Sequence, residues 1–180
     1  MRLHKVRLAG TVGAALLIAV AVGHPTAAGA TPATGAQLRQ ECTAPPLAGH
    51  VVDVTVGDSV SPGSPQSGQM WLKVAPAKVP AGTVSLRVAN KGTLAHEVIV
   101  LPLPAGQAVG KRATSGERVS EAGSLGEASH NCAAGGGGGI APHSMSWATL
   151  KLPAGHYELV CNFPGHYASG MRAELDVTGP

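Results

Sequence analysis

The chain is short of the features that mark most functional classes. It has no basic run and no basic patch, so it carries no nucleic-acid footprint. It has no long helical periodicity, no alternation of strands with helices and no internal repeat, which sets aside helical bundles, doubly wound α/β folds and solenoids. Its N-terminal apolar run, Leu8 to Val22, is about 15 residues, below the roughly 20 that cross a bilayer. The net charge of +3 is also less than it looks. Arg2, Lys5 and Arg7 are three of the 13 basic residues, and residues 1–30 hold none of the 10 acidic ones. Without that segment, ten basic side chains face ten acidic ones, and the chain is formally neutral.

That N-terminal segment is laid out like a secretory signal peptide. A basic start is followed by the apolar run, by His24-Pro25 and by the small residues Ala28-Gly29-Ala30. Cleavage is expected near Ala30, placing the mature chain extracellularly or on the periplasmic, cell-envelope side. No Arg-Arg pair precedes the apolar run, so export is expected to be unfolded. Three cysteines is an odd number for an exported chain, where thiols tend to pair. Cys161 sits among other soft donors, so Cys42 with Cys132 is the expected bridge; two unpaired thiols are the alternative. The bridge would close a loop of about 90 residues and add at most roughly 4–5 kcal/mol.

Residues 31–49, rich in Ala, Pro, Thr and Gly, read as a flexible tail leading into a domain over 50–180. Strands are expected at His50–Gly57, Met70–Val74, Thr83–Asn90, His96–Pro102, Ser146–Leu152 and on both sides of 161–171. Residues 58–69 read as a turn or loop, on Pro62, Gly63, Pro65 and Gly68. Residues 104–145 form a long irregular insertion with a run of glycine from 135 to 139, and 111–127 has a weak pattern compatible with a short helix. About seven short strands with close turns predict an all-β protein, an antiparallel sandwich or barrel.

The chemistry concentrates in Cys161-Asn-Phe-Pro-Gly-His166-Tyr-Ala-Ser-Gly-Met171, a loop that carries a thiol, an imidazole and a thioether. Strand parity supplies a fourth donor. His96 shares the parity of Val98 and Val100, Cys161 that of Tyr157 and Leu159, and Met171 that of Leu175 and Val177, so all three should face the interior. Two imidazoles and a thiolate with a weak axial thioether is the donor set of an electron-transfer copper site. Zinc fits less well, because methionine is a poor zinc ligand and a second cysteine is missing. His50, His130, His143 and His156 read as surface or loop residues, Met70 and Met145 as fillers, and Trp71 and Trp147 as packing residues. His143 with Met145 is a minor alternative copper pair.

These motifs resemble the cupredoxins, the blue copper proteins of the plastocyanin and azurin superfamily. The resemblance rests on Val-Ala-Asn-Lys-Gly-Thr-Leu-Ala-His96-Glu-Val and on Tyr-Glu-Leu-Val-Cys161 through Met171, and covers about residues 50 to 178. It implies an eight-stranded Greek-key sandwich, one type 1 copper ion on His96, Cys161, His166 and Met171, and one-electron transfer without enzymatic turnover. The ligand loop is similar to those of rusticyanin and auracyanin. Where many members carry Asn or Ser after the first histidine, this chain carries Glu97. The expected partners are redox proteins, a cytochrome or a copper oxidase or reductase, docking transiently with a monomer on an apolar patch of Leu94, Phe163, Pro164 and Tyr167 around His166. The competing expectation is copper delivery without a redox role, which favours exchangeable Met-rich or His-rich sites; only four methionines are present. An oxidase or nitrite reductase would need further histidine clusters, and no His-x-His pair occurs.

Overall fold

The structure, a computed structural model, describes residues 42–61 and 64–179. The expected signal peptide and the tail before residue 42 lie outside the described residues. Eleven strands are found among those described: β1 (His50–Ser61), β2 (Ser64–Ala75), β3 (Lys78–Pro80), β4 (Gly82–Asn90), β5 (Val98–Pro102), β6 (Thr114–Ser115), β7 (Arg118–Val119), β8 (Gly126–Ala128), β9 (Met145–Leu152), β10 (Gly155–Val160) and β11 (Arg172–Thr178). Among the described residues there is no helix, and none long and apolar enough to cross a membrane.

Nine of these strands build two sheets, ordered β2-β1-β4-β9 and β3-β11-β10-β5-β8. Alternating apolar residues explain how they close. Val52, Val54 and Val56 of β1, and Val84, Leu86 and Val88 of β4, point from the first sheet into one buried cluster. Val98 and Val100 of β5, Leu159 of β10 and Leu175 of β11 meet them from the second. The result is an all-β sandwich of the expected class, with three departures. Two pairings are parallel, β1 with β4 and β3 with β11, so the sandwich is mixed rather than wholly antiparallel. The described residues of the expected loop at 58–69 are strand, because β1 and β2 continue to pair, Asp58 with Met70 and Ser61 with Ser64. Pro65 is tolerated there because β2 is an edge strand. The possible helix at 111–127 is absent; that stretch holds the β6–β7 hairpin and β8.

The insertion at 104–145 does structural work on both sides of the second sheet. Val98, Ile99, Val100 and Leu101 are buried in succession, so β5 has no solvent face. Ile99, Leu101 and Val160 face outward into a second cluster closed by Val119 and Tyr167. Beside it Glu158 is fully buried. Its carboxylate accepts hydrogen bonds from Gly110 N–H at 2.7 Å, Tyr167 O–H at 3.0 Å and Arg112 Nε at 2.6 Å. That network fastens the insertion to the sheet. At its other end Cys42 and Cys132 form the expected disulfide, with Cα atoms 5.2 Å apart. The Ala48 carbonyl accepts a 2.7 Å hydrogen bond from Ser85 Oγ, so the chain is held from Cys42 onward.

Candidate metal centre

The loop after β10 is shaped by its own backbone. Pro164-Gly165 turns the chain, with Gly165 at φ 79°, a value glycine adopts without strain. His166 N–H donates to the Phe163 carbonyl at 3.0 Å, and Met171 N–H to the His166 carbonyl at 3.1 Å. Cys161 N–H donates to the Met171 carbonyl at 3.1 Å and closes the loop at its base. Cys161 and Met171 therefore stand side by side at the sandwich end, both fully buried.

His96 arrives from the opposite direction. Asn90, at the end of β4, uses its amide to bond the carbonyls of Leu94 at 2.7 Å and Ile140 at 2.9 Å. His96 then pairs with Ile140, donating at 3.2 Å and accepting at 2.7 Å. Ile140 directly follows the glycine run, and the last glycine of the run lies against the site, where a side chain would not fit. A β-carbon on Gly139, at φ 110°, would stand 2.8 Å from the Phe163 ring. Phe163 in turn meets His166 edge-on, with centroids 5.7 Å apart.

Three donor atoms converge. His96 Nδ1 lies 3.3 Å from His166 Nδ1, and Cys161 Sγ lies 3.4 Å from His166 Nδ1 and 4.0 Å from His96 Nδ1. Donors at about 2.0 Å for nitrogen and 2.3 Å for sulfur adopt that spacing around one ion. Parity placed His96, Cys161 and Met171 on the buried side, and all three have no exposed surface. His166 is half-buried and brings the group to the surface. The remaining histidines of the described residues, His50, His130, His143 and His156, are exposed and outside this group. Met70 packs against the core.

The electrostatics favour neutral donors until an ion arrives. Burial pushes the Cys161 thiol up to about 12, against hydrogen bonds from the backbone of Phe163 and Glu97 that favour the thiolate. Burial also lowers the pKa of His96 and His166, and in His166 the neighbouring His96 adds to the effect. Neutral imidazoles are ready to coordinate, whereas the thiol must lose a proton, so metal uptake releases one.

Two neighbouring groups complete the surroundings. Glu97 N–H donates to Cys161 Sγ at 3.4 Å, so this contact comes from the backbone and is indifferent to the side chain at 97. The Glu97 carboxylate, also buried, accepts from Asn162 N–H at 3.0 Å. On the far side of His96, Nε2 lies 3.0 Å from Asp58 Oδ1, with both side chains fully buried. Asp58 falls in the stretch that reads as a loop. The signal was in the register: Val52, Val54, Val56 and Asp58 share one parity, so the strand carries an acid onto its buried face.

His166 opens into a surface cleft lined by Met70, Leu94, Glu117, Pro164 and Ser169. Leu94 and Pro164 of the expected patch are there. Tyr167 is not: it is buried under the insertion, its hydroxyl committed to Glu158.

A family pattern described as the sulfocyanin (SoxE) domain matches residues 63–180, about two-thirds of the chain. The chain belongs to the sulfocyanin family. This agrees with the cupredoxin resemblance of its sequence motifs. Among solved structures this sulfocyanin-family chain is similar to rusticyanin from Thiobacillus ferrooxidans, at 22% identity over 73% of this chain and 79% of that one, with a TM-score of 0.45. It is similar to auracyanin from Roseiflexus castenholzii at 15% identity over 73% and 98%, TM-score 0.45. Auracyanin A, described as a blue copper protein from Chloroflexus aurantiacus, matches at 17% identity over 71% and 99%, TM-score 0.43. No curated protein sequence matches the chain.

Proposed function

We propose that this protein is an exported carrier of single electrons in which His96, Cys161 and His166, with Met171 as a weaker donor, would hold one type 1 copper ion. The convergence of two imidazole Nδ1 atoms and one thiol within 3.3–4.0 Å of each other carries this reading. Copper supplies a Cu(I)/Cu(II) couple, and this mixture of soft sulfur and imidazole serves both states. The protein's part is rigidity. Backbone hydrogen bonds fix the ligand loop, Ile140 fixes His96, and buried packing holds Cys161 and Met171. Donors held in place have little to rearrange on oxidation.

His166 is the ligand at the surface, so the partner docks there, over Leu94, Pro164 and Met70. A small contact of this kind suits fast release. The partner is a redox protein, a cytochrome or a copper oxidase or reductase. Buried His96 and Cys161 weigh against rapid copper exchange, and hence against a delivery role. Residues 1–30 act as a cleaved signal peptide, 31–49 as the lead-in, and 50–180 as the copper domain.

The test is a visible and electron-spin spectrum of the copper-loaded protein with a redox titration. An intense thiolate-to-copper band and a reversible one-electron couple are expected, and Cys161→Ser should abolish the band. A band that survives Cys161→Ser, or a copper protein with no reversible couple, would sink the proposal.

A further inference from the structure

The remote nitrogen of His96 ties the centre to the other sheet. His96 leads into β5, whereas Asp58 lies on β1. The Asp58 carboxylate accepts four hydrogen bonds. Oδ1 takes Thr93 N–H at 2.8 Å, Leu94 N–H at 3.0 Å and the His96 Nε2 contact at 3.0 Å, and Oδ2 takes Thr93 Oγ1 at 2.6 Å. Gly92 is packed against it so closely that a β-carbon there would overlap Oδ1. Among the described residues its ion-pair contact is with His96, and no Lys or Arg shares it. An acid buried with four donors and no cation brings an unshared negative charge.

Resting on the copper reading above, we infer that Asp58 is a positioning residue of the centre: it fixes the imidazole of His96 and lowers the reduction potential. The first effect follows from tautomers. His96 Nδ1 faces Cys161 and His166, so it must offer a lone pair, and the ring proton must sit on Nε2. A carboxylate on Nε2–H holds that tautomer and that ring orientation, and makes the imidazole a stronger donor. The second follows from charge. Cu(II) carries one more positive charge than Cu(I), and burial weakens the screening between it and the carboxylate. Removing that charge disfavours Cu(II) relative to Cu(I), whatever other charges remain. Asp58 also anchors Thr93 and Leu94, so the carboxylate that orients His96 holds one wall of the docking cleft.

The experiment compares copper-loaded wild type with Asp58→Asn and Thr93→Val by redox titration and visible spectroscopy. Imidazole nitrogen NMR of the metal-free wild type accompanies it. Asp58→Asn should keep the blue band and shift the Cu(II)/Cu(I) equilibrium about tenfold toward Cu(I), a rise of about 59 mV. Thr93→Val leaves the carboxylate but removes its shortest donor, at an exposed position, so the potential should move the other way by a smaller factor. NMR should show His96 as the Nε2–H tautomer. An unchanged potential in a blue Asp58→Asn protein, or an Nδ1–H tautomer in wild type, overturns the inference. If Asp58→Asn binds no copper, the direction of the Thr93→Val shift decides. A wild type with no blue band and no couple would instead remove the copper reading itself.

Discussion

Asp58 reaches His96 from β1, and Glu97 follows it toward the Cys161 loop; both carboxylates are buried, yet their surroundings push them in opposite directions. Burial raises the pKa of Asp58, but hydrogen bonds from the Thr93 hydroxyl, Leu94 N–H, His96 and Thr93 N–H outweigh it and hold the group at about 2. Burial also raises the pKa of Glu97. Only the Asn162 N–H and the charge of Arg118 oppose it, while Glu127 and Glu121 raise it further. Desolvation alone therefore does not set the charge beside the centre; the number of aimed donors does. Glu158 is the third case, fully buried and matched by Arg112 at 2.6 Å.

Breaking the third case should have the largest effect. Arg112→Ala leaves Glu158 buried without its cation, and removing one partner of a buried pair costs about 3–5 kcal/mol. The Arg112 side chain is 15% exposed, so water relieves part of this and about 3 kcal/mol is expected from the urea midpoint. The insertion should loosen first, visible as faster amide exchange around 110–119.

An acid titration of the metal-free protein isolates Asp58. Its folded pKa is depressed from 3.8 to about 2, so it stabilises the fold above the unfolded value. That contribution, about 2 kcal/mol, should disappear as the pH falls from about 4 to about 2. The lowered pKa values of His96 and His166 add an earlier loss, which begins as the pH falls through about 6.5, where the unfolded histidines protonate. Asp58→Asn should flatten the lower window in a denaturation series. An unaltered acid limb in that variant would show that Asp58 is not specially stabilised as a carboxylate.

The smallest effect belongs to Glu97→Gln. The amide keeps an acceptor for Asn162 N–H, and the pKa of Glu97 is raised in the fold. Its favourable contribution belongs to the protonated form and is lost as the pH rises through the folded value. The substitution should therefore shift neutral-pH stability by less than about 1 kcal/mol, toward greater stability. A loss as large as that of Arg112→Ala would break the contrast with Asp58.

The convergence of His96, Cys161 and His166 was legible in the sequence because it follows short-range rules. The spacing of Cys161, His166 and Met171 lies within one loop, and the two-residue repeat of Val98 and Val100, carried back to His96 just before β5, turns its ring inward. Asp58 was hidden by Pro62, Gly63 and Pro65, which argue for a loop in isolation. Pairing with the neighbouring edge strand nevertheless carries β1 on to Ser61 and starts β2 at Ser64. Tyr167 was misplaced for a related reason. Its neighbours in the loop face solvent, and only the packing of the insertion against β5 and β10 draws the ring under Val119. The insertion itself, weakly patterned and rich in glycine, gave no sign that Ile140 pairs with His96.

Residue type and local spacing determined which side chains can bind a metal, that they would be buried, and that one loop carries most of them. Those properties depend on side-chain chemistry and on the pleat of a strand, both readable over a few residues. Tertiary structure decided which groups surround those side chains. A carboxylate on β1 and a carbonyl after the glycine run meet His96, and the Glu97 N–H meets Cys161, all across long sequence separations. Such contacts exist only once two sheets have packed, because partners so distant in the chain have no local reason to meet.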